Sequence, residues 1–466
     1  MTRKKCSPSI VPVLLALCLA LVLAVPASAE WKEKVLYSFQ GGTDGSGPAG
    51  GVIFDKEGNL YALSIYGGST ACPPGWCGTF YQLSPPPQKG GKWTETVSYV
   101  FKGHNQNDGS SPSGGLISDS TGNFYGVTGY GGSGPCVLFG TATGCGTVFE
   151  LSPPAHKGGA WTETVLYNFQ GGKDGDLPTG PLAFDKAGNL YGATEFGGGK
   201  GTTCDAFYGG NCGTAFKLSP PKQKGGKWTE KVLHRFAGVE PGERYGDGAN
   251  PNGGLVFDRS GAIYGTTYIG GNGSGGCNEG GGYEGCGTVF VLKPPIGKGG
   301  SWDESVLHRF RGQPIDGFGP YGGLVLGSRG ELYGTTDGGG AHEAGLVFEL
   351  KPPTTQGRGW TESFLYVFRG GDDGNIVTAG LVQGMDGRFY GSAGGGTFFR
   401  GVIFRLTRPK DGKAWGFDLL YSFKGSDGYD PQQLTFGKDG AIFGPTFFGG
   451  NGPCQGGCGT VFEVSP

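Results

Sequence analysis

The chain has 466 residues with 37 basic and 39 acidic side chains, and a formal charge of -2 excludes both a basic field for nucleic acid and an acidic interaction tail. Its 102 glycines and 30 prolines would suit a disordered, low-complexity polymer. Against that, 13% of the residues are aromatic and recur in register with the glycines, so each repeat carries apolar surface to bury against a neighbour.

Residues 1–29 read as a secretory signal: Arg3, Lys4 and Lys5 give a positive start, residues 10–25 are apolar, and Ala27-Ser28-Ala29 fits an A-x-A cleavage site. The apolar run is short for a membrane span and ends at Pro26. A mature chain starting near Glu30 is expected, secreted or periplasmic, with no transmembrane anchor. Removal of Cys6 and Cys18 with the signal leaves five close pairs: Cys72/Cys77, Cys136/Cys145, Cys204/Cys212, Cys277/Cys286 and Cys454/Cys458. Even number, exported context and matched position favour local disulfides, and the variable spacing lacks the two-residue gap of zinc knuckles.

From Glu30 onward one sequence of events repeats. Tryptophan opens it at Trp31, Trp93, Trp161, Trp228, Trp302, Trp360 and Trp415. "WTETVLYNF" (161 to 169) is followed by an Asp-Gly loop, then "GPLAFD", a tight turn, "NLYGAT", a cysteine loop and "GTAFKLSPP". Each segment is short, rich in β-branched and aromatic residues, and bounded by Gly, Asp, Asn or Pro, as strands are. No window holds helical spacing long enough to matter.

Four strands in each of seven units predict an all-β, seven-bladed β-propeller of four-stranded blades. "GGLVFD" is strand a, "NLYG" b, "GTVFEL" c and "WTETVLYSF" the outer strand d. Gly180, Gly253 and Gly322 suit the crowded axis where inner strands converge. The mature chain opens on a d strand and stops on a c strand, so the N-terminal strand is expected to complete the last blade and close the ring.

The unit "GNLYGTT…GG…GTVF-L-P" resembles the GloVer tandem repeat of exported bacterial proteins, and all seven units match it. The resemblance implies export and repetition, and no defined activity. Members often finish with envelope-sorting anchors; this sequence stops at "GTVFEVSP", which leaves surface attachment open. More distantly, the "GG" after strand b and the strand-d tryptophan look like Kelch repeats, and "FDKAGNLYG" looks like the inner hairpin of NHL-type propellers.

Antiparallel order puts the b–c loops and the d–a loops on one face, the candidate site. The d–a loops supply Asp44, Asp108, Asp174, Asp247, Asp316, Asp373 and Asp427, each before a glycine. Seven carboxylates round a channel mouth would suit Ca²⁺, whereas Asp-Gly as a preferred turn pair explains every copy without a metal. The b–c loops carry Trp76, Phe139, Phe207, Tyr208 and Tyr283, which would stack on sugars or grip a partner, or else cover the blade tops. The two cysteine-free loops suggest a low sector near Asp337, His342, Glu343, Phe398, Phe399 and Arg400.

Signals for catalysis are weak. No H-E-x-x-H, G-x-S-x-G or G-x-x-x-x-G-K-[ST] is present, and His234 and His308 occupy equivalent "LHRF" positions on outer strands. The reading is a monomeric, exported, non-catalytic binding or interaction module for carbohydrate or an envelope protein. The alternatives are a propeller glycoside hydrolase or polysaccharide lyase with its site on the Cys-loop face, and a purely structural envelope component.

Overall fold

A computed structural model describes residues 30–466 apart from 73–75, 89, 157, 200–211, 224, 240–244, 272–276, 278–284, 298, 356 and 410–412. The chain folds as seven antiparallel blades of four strands, and its described helical content is two single 3-10 turns. Blade 1 runs a Ser46–Phe54, b Leu60–Tyr66, c Thr79–Ser84 and d Thr94–Val100, and the same order recurs around the ring. In blade 7 the outer strand is Lys32–Ser38, paired antiparallel with Thr460–Ser465 from Lys32↔Ser465 to Ser38↔Thr460. One chain end thus supplies the outer strand of the other end's blade, and the sheet edge at the seam is covered.

Near the axis the blades touch backbone to backbone. A Cβ added to Gly180 would sit 2.6 Å from Gly254 N, one on Gly253 2.7 Å from Gly322 C, and one on Gly322 2.7 Å from Gly380 N. Only glycine permits that approach, and in blades 1 to 4 the inner strand bulges there, as at Ser113/Ile117 and Thr179/Ala183.

Towards the rim the wedge between blades widens and aromatic rings fill it. Seven apolar clusters lie at the seven blade interfaces, each with one repeated tryptophan packed against it: Trp93, Trp161, Trp228, Trp302, Trp360, Trp415 and Trp31 in order from the blade 7–1 interface. At the blade 1–2 interface Trp161 meets Tyr61, Phe80 and Phe124 at centroid distances of 5.6, 5.0 and 5.7 Å. The strand-c phenylalanines Phe80, Phe149, Phe216, Phe290, Phe348, Phe404 and Phe462 are fully buried. The recurring Trp and the Tyr of "NLYG" are therefore interface core.

The Asp-Gly pairs have a shared mechanical role. A d-strand side chain donates to six of the seven aspartates: Tyr37, Tyr99, Tyr167, Tyr366 and Tyr421 through their hydroxyls at 2.5–3.0 Å, and His234 through Nε2 at 2.9 Å. In the remaining copy, the fifth along the chain, His308 Nε2 stands 3.3 Å from Asp316 without a hydrogen bond. A backbone N–H just after strand d also donates to every one of the seven, at 2.7–3.1 Å. The pair ties the outer strand to the loop leading inward.

The glutamate of "WTET" in the next blade packs beside this carboxylate. Oε1 of Glu33, Glu95, Glu163, Glu230, Glu304 and Glu362 is buried without a hydrogen-bond partner. Burial first, and for Glu163 the neighbouring Asp108 next, pushes Glu33 and Glu163 up to about 8 and Glu95, Glu230, Glu304 and Glu362 up to about 7. In the remaining blade Phe417 takes the glutamate's place and stacks on Tyr366 at 4.2 Å.

The disulfides Cys72–Cys77, Cys136–Cys145, Cys277–Cys286 and Cys454–Cys458 are formed, and Cys212 is also disulfide-bonded. Its expected partner Cys204 lies outside the described residues. These bonds fit an extracytoplasmic location. No helix among the described residues is long and apolar enough to cross a membrane.

Two outcomes follow from the interfaces. Trp161→Ala should lower unfolding stability by about 3 kcal/mol, read by denaturant titration, because it empties one wedge. The glutamates have folded pKa values above their unfolded value, so the stability they lend is complete below pH ~4.5 and is lost as pH rises through ~7–8. The melting temperature should fall between pH 6 and 9, and Glu163→Gln should make that fall shallower; a flat profile, or an unchanged slope in the variant, would contradict this.

Candidate functional site

On the Cys-loop face each inner strand enters with a residue in the left-handed region: Gly47, Ser111, Leu177, Asn250, Gly319, Ile376 and Asp430, at φ between 50 and 63°. The N–H of each donates to a carbonyl in the b–c loop of the preceding blade, for example Gly47 to Cys458, Leu177 to Cys145 and Asp430 to Arg400. Seven such bonds form a ring of inter-blade ties. Glycine would serve at every position without strain, yet five of the seven are not glycine, and a β-branched Ile376 there is costly, of order 1–3 kcal/mol.

Further along the inner strands is an axial cavity of about 380 Å³ whose walls include Asn252, Tyr321, Asp430, Gln432, Gln433 and Phe447; of the seven left-handed residues, Asp430 alone is part of its lining. Tyr321 is 41% exposed and packs edge-to-face on Tyr268 at 5.7 Å. The protein around its ring, then the negative field of Glu195, with Asp337 and Asp430 adding, raises its phenol pKa. That negative field is set by carboxylates of blades 3, 5 and 7. Burial pushes Asp337 up to about 6, against the hydroxyl of Tyr268 that donates to it at 2.9 Å, and burial likewise pushes Asp430 up to about 6. Asn250 Oδ1 and Asp337 Oδ1 are buried acceptors without a partner, and Asn250 is 4% exposed.

An aromatic arc reaches the cavity at Phe447 and Phe448, which line it beside Asp430. Tyr130, Trp76, Tyr66, Phe447 and Phe448 stand in successive contact at 5.9, 6.0, 6.0 and 4.7 Å, Tyr429 adds to Phe448 at 5.6 Å, and the Arg400 guanidinium lies 4.9 Å over Tyr429. Aromatic faces beside hydrogen-bonding side chains are the chemistry that recognises sugars.

Of the aromatic residues read from the sequence, Trp76 sits in this arc, half-buried. Phe139 is 78% exposed at the tip of a separate small hairpin, Val137–Leu138 with Thr141–Ala142. Phe207, Tyr208 and Tyr283 lie outside the described residues. The seven Asp-Gly carboxylates are engaged at their outer strands, and among the described residues no metal-capable grouping contains two of them. The low sector is not brought together: Asp337 is held by Tyr268 of the preceding blade, His342 and Glu343 are exposed, and none of the six residues lines any of the three principal cavities.

Glu195, Tyr268, Asp337 and Phe447 all follow the last polar residue of strand b, where the repeats also place Ile65, Gly129 and Gly394; of this column Ile65 and Phe447 line the axial cavity. Divergence in that column, inside otherwise uniform strands, is the signal that would have found them. A larger depression of about 1510 Å³ lies on the opposite face, between the a–b turns of blades 3, 4 and 5, lined by Lys186, Lys217, Lys231, Arg259 and Trp302 among others. Its acids Asp185 and Asp258 are held ionised, their turn hydrogen bonds outweighing burial, and both belong to turns that recur around the ring. The asymmetric chemistry is at the axial mouth.

Known structures share the fold at low identity. A protein of unknown function from Dyadobacter fermentans is 12% identical with a TM-score of 0.43, covering 94% of this chain and 98% of its own. A putative oxidoreductase (glucose dehydrogenase) from Thermus thermophilus is 14% identical at 0.41, covering 93% and 100%. PorZ, a surface component of the type-IX secretion system of Porphyromonas gingivalis, is 14% identical at 0.46, covering 92% of this chain and 47% of its own. No curated protein sequence matches. The repeat described as Gloeobacter/Verrucomicrobia repeat matches residues 24–201 and 275–466, most of the chain, and the protein belongs to that repeat family.

Proposed function

We propose that this protein is an exported, non-catalytic binding module that holds a carbohydrate in the axial mouth on its Cys-loop face. One observation carries the reading: seven backbone-equivalent left-handed positions bear dissimilar residues, five of them strained, whereas the seven aspartates and seven tryptophans of the frame are identical. Variation in such a ring, set in a scaffold whose turns and wedges repeat, supports a ligand-selecting surface on that face. The aromatic arc would stack on the apolar faces of a pyranose, and Asp430, Asn252, Gln432 and Gln433 of the cavity wall would hydrogen-bond its hydroxyls. The Asp-Gly carboxylates already have protein donors, so recognition needs no Ca²⁺ ring.

A second reading rests on the raised pKa of Asp430 in the cavity wall, about 6, as a general acid for glycoside cleavage or lyase chemistry requires. It is distinguished by product release from a bound glycan, lost in Asp430→Asn.

A glycan-array screen of the mature protein, run with Ca²⁺ and again with chelator, should give saturable binding that chelation leaves intact. Trp76→Ala and Tyr321→Phe should each weaken it about tenfold or more, the scale of one lost stacking or hydrogen-bonding contact. Asp185→Asn on the opposite face should leave it unchanged. Silence across the array, or binding that survives both mouth variants, would overturn the reading.

A further inference from the structure

Two of the seven outer strands carry histidine where the other five carry tyrosine, and the two histidines differ in their surroundings. His234 Nε2 bonds Asp247 directly at 2.9 Å. His308 Nε2 stands 3.3 Å from Asp316 Oδ2 and 3.5 Å from Glu362 Oε1, and the three ligand atoms all lie within 4.8 Å of one another. Around a tetrahedral zinc with bonds of about 2.0–2.1 Å, neighbouring ligand atoms stand about 3.3–3.4 Å apart.

The donor atoms are poised and unspent. His308 Nε2 and Glu362 Oε1 are both buried without a hydrogen-bond partner, and their side chains are only 14% and 11% exposed. Asp316 is wholly buried, and its Oδ2 is fixed by the Arg311 backbone N–H at 3.1 Å, with Gly317 N donating to Oδ1 at 2.7 Å. Second contacts of this kind orient a ligating carboxylate. The Arg311 side chain, 56% exposed with Nε 3.5 Å from the same oxygen, is free to swing to solvent when a cation enters. The other metal-capable grouping, Cys136, Cys145 and Asp176, has its sulfurs joined in a disulfide and offers no thiolate.

We infer that His308, Asp316 and Glu362 bind one divalent transition-metal ion of the zinc type, which clamps blade 4 to blade 5 at the rim. Imidazole with two carboxylates is a zinc donor set, and three protein ligands leave one position for water. His308 and Asp316 come from strand d of blade 4 and the loop after it, while Glu362 comes from strand d of blade 5, so the ion would cross-link neighbours at the outer edge of their apolar wedge.

The test titrates chelator-stripped, full-length mature protein with Zn²⁺ by calorimetry and with Co²⁺ by visible absorption. One ion per chain is expected, with a rise in melting temperature on loading. His308→Tyr installs the residue that five other blades already use, so the fold should persist by circular dichroism while affinity falls about 100-fold or more. Glu362→Gln should cost about 10-fold to 100-fold, the range seen when a metal site loses a supporting group. His234→Tyr should leave stoichiometry and affinity unchanged. Absence of binding in the parent protein would overturn the inference and leave His308 as a bridge between two carboxyl groups, and undiminished binding by His308→Tyr would overturn it equally.

Discussion

The wedge between neighbouring blades is the constraint on which the rest of this molecule depends. Seven flat sheets arranged round an axis must be nearly touching inside and well separated outside, and both faces of every sheet are apolar. The sequence meets the narrow end with glycines whose backbones abut, such as Gly180 against Gly254, and the wide end with a phenylalanine from strand c and a tryptophan from strand d. No single blade buries both of its faces, so each depends on its neighbours, and the pairing of Lys32–Ser38 with Thr460–Ser465 makes the dependence circular.

The frame also stores carboxyl groups where water is scarce. Each d–a turn places an aspartate under an outer-strand tyrosine or histidine, and in six interfaces the following blade adds a glutamate beside it. Two carboxyls at one buried place do not ionise together at low cost, so one keeps its proton near neutrality. The a–b turns treat their aspartates in the opposite way: Asp119, Asp185, Asp258 and Asp386 receive several short hydrogen bonds that outweigh burial and keep them ionised. One residue type thus serves two electrostatic roles at opposite faces. Where the outer strand exchanges Tyr for His at position 308, the same architecture yields a metal-type donor set.

Much of the frame was legible in the sequence because it repeats. Trp161, Tyr191 and the Asp-Gly pairs recur at fixed places in strands and turns, and recurrence alone fixes blade number, strand order and the closing of the ring. The partner of each aspartate was not legible, because Tyr99 and Asp108 are read as strand filler and turn signal until the fold brings them together. The mouth was harder still. Asp430 and Ile65 come from different blades, far apart in the chain, and each occupies a column whose other members are unlike it. Trp76 was visible as an aromatic next to a cysteine, but its stacking between Tyr66 and Tyr130 depends on two separate blades. Repetition reveals the scaffold and hides the site, which consists of the places where repetition fails.

The molecule divides into a symmetric frame and one asymmetric mouth, and a footprint separates those parts directly. Hydroxyl-radical labelling of the mature protein, with and without its best-bound oligosaccharide, reports side-chain accessibility at both faces in one experiment. Protection of Trp76, Tyr321 and Phe447 on ligand addition, with Trp302 and the opposite depression unchanged, is the predicted result. Protection centred on Trp302, with the mouth unaffected, would contradict the account and move the site to the other face.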